Sequence, residues 1–274
     1  MRFSHFLVAG LSLAAATPAL AQDTAPPSPI TVSGSASILT DYRLRGISQT
    51  NKNAAVQAAL TIAHESGFYI GTFASNLAGW GTFGGANMEL DAIGGYKHSF
   101  GSATIDTGVT WYTYPGGFSE SDVVEFFGRL SGAAGPATLT AGAYYAPKQT
   151  SLGNFSNTLY SRGQRQDNVY LTGDAAVAVP STPITAKAHI GYSHGNPGLG
   201  PNGTSLAPTG EYWDWSLGAD VAAYKNLVLN VSYIDTDISK SESAYLQPNF
   251  SKGQVPGGAS IAGGTVVFSL TAAF

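Results

Sequence analysis

The chain has 274 residues, no cysteine, and 17 Asp and Glu against 13 Lys and Arg. Without cysteine it is not a disulfide-stapled secreted domain, and a mildly acidic balance argues against a nucleic-acid partner. Charged residues are only 11% of the chain, well below the quarter or so of soluble domains, while 34 glycines and 11% aromatics are both high. A mean hydropathy of +0.03 decides nothing alone, because a barrel that divides its residues evenly between lipid and lumen also averages to neutral.

Met1-Arg2, the apolar stretch from Phe6 to Ala16 and the small-x-small site Ala19-Leu20-Ala21 read as a secretory signal, residues 1–21, removed before Gln22. Loss of Arg2 leaves 12 basic residues against 17 acidic ones. No later run approaches the roughly twenty apolar residues of a spanning helix. Residues 22–29, with Pro26, Pro27 and Pro29, form a patternless disordered leader, and residues 30–274 carry the fold.

From Ile30 through Arg45 the even positions Ile30, Val32, Ala36, Ile38, Tyr42 and Leu44 are apolar, and the odd positions are polar except Leu39. Residues two apart share one face of a strand. The same period recurs at 54–65, 69–77, 88–97, 103–114, 123–130, 137–145, 168–179, 184–193, 212–221, 227–234 and 265–274. About twelve strands of this length predict a transmembrane antiparallel up-and-down β-barrel, an all-β fold. The last strand, ending on Phe274, looks like the C-terminal signature of bacterial outer-membrane barrels.

The connections alternate between tight turns and longer Gly-, Ser-, Asn- and Pro-rich loops. The turns are Ser66-Gly67, 98–102, 131–136, 180–183 and 223–226; the loops are 46–53, 78–87, 115–121, 147–167, 194–211 and 235–262. Short periplasmic turns and long external loops are the outer-membrane pattern. Outward aromatics near strand ends predict two girdles, with Tyr42, Trp111, Tyr145, Tyr192, Trp213, Trp215 and Tyr233 at the outer rim and Tyr69, Tyr96 and Phe274 at the inner one.

Inward positions carry most strand charges: Asp41, Arg43, Arg45, Glu89, Asp91, Lys97, Asp106, Glu125, Arg129, Asp174, Lys187, Asp214 and Asp220. Of these, Asp41, Arg43, Arg45, Glu89, Asp91, Glu125, Arg129 and Asp214 are the predicted pore-lining set. All but Arg129 fall in the outer half, where the two arginines on the first strand would face acids across a gap of ~10 Å. Such charges form a constriction ring, or pair with neighbours to stiffen the wall, and the two roles are compatible. The excess of inward acids predicts a weak cation preference.

Asp41-Tyr42-Arg43-Leu44-Arg45-Gly46-Ile47-Ser48-Gln49-Thr50 resembles the opening Asp-Tyr-Arg-x-Arg-Gly-x-Ser-x-Thr segment of the TorF-type family of proteobacterial outer-membrane porins. The likeness continues through His64-Glu65-Ser66-Gly67-Phe68-Tyr69 to Ser75-Asn76, and to Glu89-Leu90-Asp91 with Gly94-Gly95-Tyr96. It spans roughly 30–274, with specific motifs in the first third. It implies passive diffusion of small hydrophilic solutes across the outer membrane of a Gram-negative bacterium, and it carries no substrate, because the later loops match nothing.

Two other readings stand beside it. His64 and Ser66 share a face at the end of the second strand, a spacing for base and nucleophile in a lipid-hydrolysing barrel, but they fall at an inner turn, away from the outer leaflet. A closed structural or adhesive barrel, plugged by 147–167 or 235–262, is the other. His189 faces the lumen alone, so neither a metal site nor a cofactor is expected, and the partners are membrane lipid and small polar solutes, with homo-oligomerisation left open.

Overall fold

The computed structural model describes residues 29–154, 164–195, 211–239, 241, 252–255 and 257–274. The expected signal sequence and all of the leader but Pro29 lie outside them. Among the described residues there are fourteen strands: β1 (Ile30–Leu39), β2 (Arg43–Leu44), β3 (Ile47–Ser48), β4 (Ala55–His64), β5 (Phe68–Asn76), β6 (Met88–Phe100) and β7 (Ala103–Thr113), followed by β8 (Val123–Ala134), β9 (Ala137–Gln149), β10 (Gln166–Ala178), β11 (Ile184–His194), β12 (Glu211–Tyr224), β13 (Leu227–Thr236) and β14 (Thr265–Ala273). All but β2 and β3 close into one twelve-stranded antiparallel barrel in which each strand pairs with its neighbour in sequence.

Closure is made where β1 meets β14, in register from Ser35↔Ala273 to Leu39↔Ser269. Beyond it Gly34 and Phe274 exchange backbone hydrogen bonds of 2.9 Å each way. A Cβ on Gly34 would lie 2.5 Å from the Phe274 ring, so only glycine lets the terminal aromatic close the seam. A closed barrel leaves no edge unpaired, which a bilayer interior requires.

The period-2 pattern sorts the faces as composition demands. Val32, Ile38, Ile70, Leu90, Leu130, Leu171, Leu217 and Phe268 are exposed on the outside, forming an apolar belt, while Ser35, Asp91, Glu125, Asp174 and Asp214 are buried on the inside. An apolar belt of this kind is the pattern of barrels that face lipid. Trp111, Tyr145, Trp213 and Tyr233 stand exposed toward the long-loop rim, and Phe68, Phe100, Tyr224 and Phe274 toward the short-turn rim. Tyr69, expected outward, instead points in and donates to Asp106 Oδ1 at 2.8 Å. The outward ring at that level is Phe68, packed on Tyr96 with centroids 4.9 Å apart.

The largest departure from the sequence expectation is at the first strand. Its alternation runs on to Arg45, but β1 leaves the wall at Leu39, and Asp41, Arg43 and Arg45 stand on no barrel strand. Thr40 makes the last seam contact, donating its amide to the Phe268 carbonyl at 2.9 Å and accepting the Phe268 amide on its hydroxyl at 3.0 Å. The chain then turns into the lumen.

Candidate functional site

The inserted segment is a small hairpin of β2 and β3, paired Arg43↔Ser48 and Leu44↔Ile47. Its tip, Arg45-Gly46, has positive φ at both residues, 50° and 79°, the geometry of a two-residue turn between antiparallel strands. Asp41 ties the base together. Its carboxylate accepts from Arg43 Nε at 2.8 Å, from the Ser48 hydroxyl, and from the Thr50 hydroxyl at 3.3 Å. Thr50 Oγ1 in turn accepts the Tyr42 amide at 3.0 Å, and the Gln49 amide donates to the Tyr42 carbonyl at 2.7 Å. The hairpin is therefore shaped by its own side chains.

Other contacts fix its position in the barrel. Arg45 Nη2 reaches both oxygens of Glu125 on β8 at 2.7 Å, and its guanidinium lies 4.1 Å from the Tyr170 ring centre. Burial works against that charge, but the Glu125 carboxylate outweighs it and holds the guanidinium above its ordinary pKa. Tyr212 donates to the Arg45 carbonyl at 3.1 Å, Arg43 Nη1 to the Gly263 carbonyl at 3.0 Å, and the Ser48 amide to the Ile261 carbonyl at 3.0 Å. Lys52, beside Arg43 and partly buried, has its pKa lowered first by burial and then by that neighbouring charge. Tyr42 packs on Phe73 with centroids 6.0 Å apart, and Ile47 joins Trp80, Phe83, Leu152, Ile238 and Ile261 in one apolar cluster.

Asp41, Glu89, Asp91, Glu125 and Asp214, expected to line the pore, are all at most 4% exposed and packed around the hairpin. Arg43 and Arg45 project from the hairpin, across the lumen interior, and not from the wall. Of the two loops expected as candidate plugs, 147–167 and 235–262, much lies outside the described residues; the described parts bring Leu152, Ile238, Ile261 and Ala262 into the apolar cluster around Ile47. Arg129 lies in the inner half, bound to Asp106 at 2.7 Å and partly solvated, with Lys187–Asp220 at 3.2 Å at a similar level of exposure.

Two cavities flank the hairpin tip. The outer one, about 80 Å³, is lined by aromatics including Trp80, Phe83, Tyr114 and Tyr212, with Gln49, Asn168 and Ser193 as polar groups. The inner one, about 140 Å³, is lined by Tyr144, Tyr170, His189, Asp214 and Ser216. Leu44, Arg45 and Tyr112 line both, and so form the partition between them.

His189 is not alone, contrary to the sequence expectation. Register sets it opposite Asp174, and Asp214 comes from the next strand. Nδ1 is 2.7 Å from Asp174 and Nε2 is 3.1 Å from both Asp214 and the Tyr170 hydroxyl. His64 and Ser66 do meet, with Nδ1 2.8 Å from Oγ, but the same nitrogen accepts the Ser66 amide at 3.1 Å, which makes this an exposed turn cap. Among the described residues no group of three or more His, Asp or Glu is placed to share a metal ion.

These features define a closed outer-membrane-type β-barrel with a polar hairpin lodged in its lumen. The chain belongs to the Gcw_chp family, described as a bacterial protein of unknown function, whose model matches residues 23–274. No curated protein matches it. Among solved structures it is similar to the outer-membrane protein OmpT of Vibrio cholerae, at 8% identity and a TM-score of 0.41 over 92% of this chain and 99% of that one. It is also similar to the COG4313 outer membrane channel from Pseudomonas putida F1, at 10% identity and 0.43 over 94% and 100%. A third is the anion-selective porin from Comamonas acidovorans, at 10% and 0.40 over 89% and 99%. Likeness at this level is one of fold.

Proposed function

We propose that this protein is an outer-membrane channel for passive entry of small hydrophilic solutes, with its constriction set by the inserted hairpin. The observation that carries the reading is the pair of cavities that share Leu44, Arg45 and Tyr112 as lining residues. Two hollows meeting at one arginine have the form of a path interrupted at one point. The inner half, with partly solvated Arg129–Asp106 and Lys187–Asp220 pairs, is a wet vestibule on this reading. The TorF-type resemblance agrees, and its Asp-Tyr-Arg-x-Arg-Gly-x-Ser-x-Thr segment is the hairpin itself. The short-turn rim would face the periplasm. No catalytic role is assigned to His64 and Ser66.

The filled outer half favours a second reading, a closed barrel with a structural or adhesive role. Recording from purified protein in a planar bilayer separates them. Discrete conductance steps support the channel; their absence from verified, inserted barrels supports the closed one.

A further inference from the structure

Nearly every acid inside the barrel has a basic partner. Asp41 has Arg43, Glu125 has Arg45, Asp106 has Arg129, Asp220 has Lys187, and His189 lies between Asp174 and Asp214. Glu89 and Asp91 are the exception. They stand two residues apart on the inward face of β6, each 1% exposed, and none of their four carboxylate oxygens accepts a hydrogen bond of ordinary length. Beside them the hairpin places Tyr42, packed on Phe73, which is the β5 residue paired with Asp91; its buried hydroxyl faces Glu89 but makes no hydrogen bond of ordinary length. It lies close enough to both acids that, after burial, their charges are the main influences raising its pKa.

Two carboxylates buried without counter-charge are neutralised in a protein interior either by protons or by a bound cation. The donors that converge here are oxygen only, the set that hard cations prefer. With both carboxylates ionised, their double negative charge matches a divalent ion. Magnesium holds its waters tightly, and these oxygens are sealed from solvent; calcium gives up its shell more readily and accepts irregular geometry.

We propose that Glu89, Asp91 and the Tyr42 hydroxyl bind a divalent cation of the calcium type, which clips the hairpin to the β6 wall. The sequence alone suggested no metal, because two acids at i and i+2 look like any inward pair until the hairpin brings the third oxygen. The site bears on the constriction of the proposed channel, but it is tested apart from transport.

The probe is Tb³⁺, which occupies calcium-type sites and is sensitised by nearby tyrosine; Tyr42, Tyr112 and Tyr114 all interact electrostatically with this acid pair. Full-length protein refolded in detergent and stripped with chelator should give saturable Tb³⁺ luminescence that Ca²⁺ displaces. The signal should vanish in Glu89→Gln/Asp91→Asn shown to be folded by heat-modifiable migration. Tyr42→Phe keeps both acids, so it should bind Tb³⁺ more weakly and remain displaceable by Ca²⁺. No saturable signal from folded wild type, or one undiminished in the folded double variant, overturns the site. Unchanged affinity in Tyr42→Phe overturns the clip, and this variant decides the matter if the double variant does not assemble. A barrel that conducts nothing yet binds Tb³⁺ through these residues leaves the clip standing and removes only the channel reading.

Discussion

Replacing Arg45 with alanine tests the link between the hairpin and transport most directly. The guanidinium makes two 2.7 Å contacts to a Glu125 side chain only 4% exposed, while Arg45 itself is 17% exposed. Removing one member of a buried pair strands the other charge, at a cost of about 3 kcal/mol at the lower end of the measured range, which suits a pair that is not fully dry. That cost falls on the docked state alone, because an undocked hairpin lets Glu125 hydrate. At about 1.4 kcal/mol per factor of ten, the undocked population should rise about a hundredfold. The wall is not touched: Tyr212 bonds the Arg45 carbonyl, which alanine retains, and alanine suits φ of 50° no worse than arginine. In single-channel records the open fraction should climb toward saturation, with unaltered heat-modifiable migration. Arg45→Ala with Glu125→Gln should recover part of the closed fraction, since the stranded charge is gone, and the difference measures the coupling. Folded Arg45→Ala with wild-type conductance and open fraction would refute the gating role.

Gly46→Ala attacks the same docking by sterics: a Cβ there would lie 2.3 Å from Thr236 Cγ2 and 3.0 Å from Asp214 Cβ, at φ of 79°. Its hairpin should become cleavable by trypsin at Arg43, Arg45 or Lys52 while wild type resists; equal resistance would count against a docked plug. Strand order is checked by epitopes at Asn154 and, separately, Ser181, with label on intact cells reaching the first and not the second. Reversal potentials should show a weak cation preference that fades with rising salt, because inward acids outnumber inward bases and screening shortens the reach of the partly solvated ones. A clear anion preference would contradict it.

The wall was legible because its code is local. Lipid and lumen impose a period of two on every strand independently, so strands such as β7 and β14 can be placed to within a residue or two without knowledge of their partners. Loop lengths were legible for the same reason. What could not be read was which loop turns inward, since that depends on contacts such as Arg45–Glu125, whose partners are 80 positions apart. Two signals were nevertheless present. A first strand running from Ile30 to Arg45 would be longer than any other in the barrel, where the longest, β12, has 14 residues. And Leu44-Arg45-Gly46-Ile47 is an X-Gly pair between apolar residues, a two-residue hairpin signature hidden inside an apparently continuous alternation.

That concealment has a physical basis. A hairpin strand alternates with the same period as a wall strand, so Tyr42 and Leu44 continue the apolar face in sequence while leaving it in space. Polarity at the odd positions meant something different on each side of Leu39. In β1 it marks the lumen face; in the hairpin, Asp41, Arg43, Ser48 and Thr50 are polar because they bond one another. The forces that shape the hairpin are therefore separate from those that dock it, which are Arg45 with Glu125, Tyr212 on the Arg45 carbonyl, the backbone contacts to Ile261 and Gly263, the packing of Tyr42 on Phe73 and of Ile47 in its apolar cluster, and the proposed cation at Glu89 and Asp91. An element folded by its own side chains can leave its seat without unravelling, because release breaks only the second set. The same arrangement built as a wall strand would have to open the barrel to move.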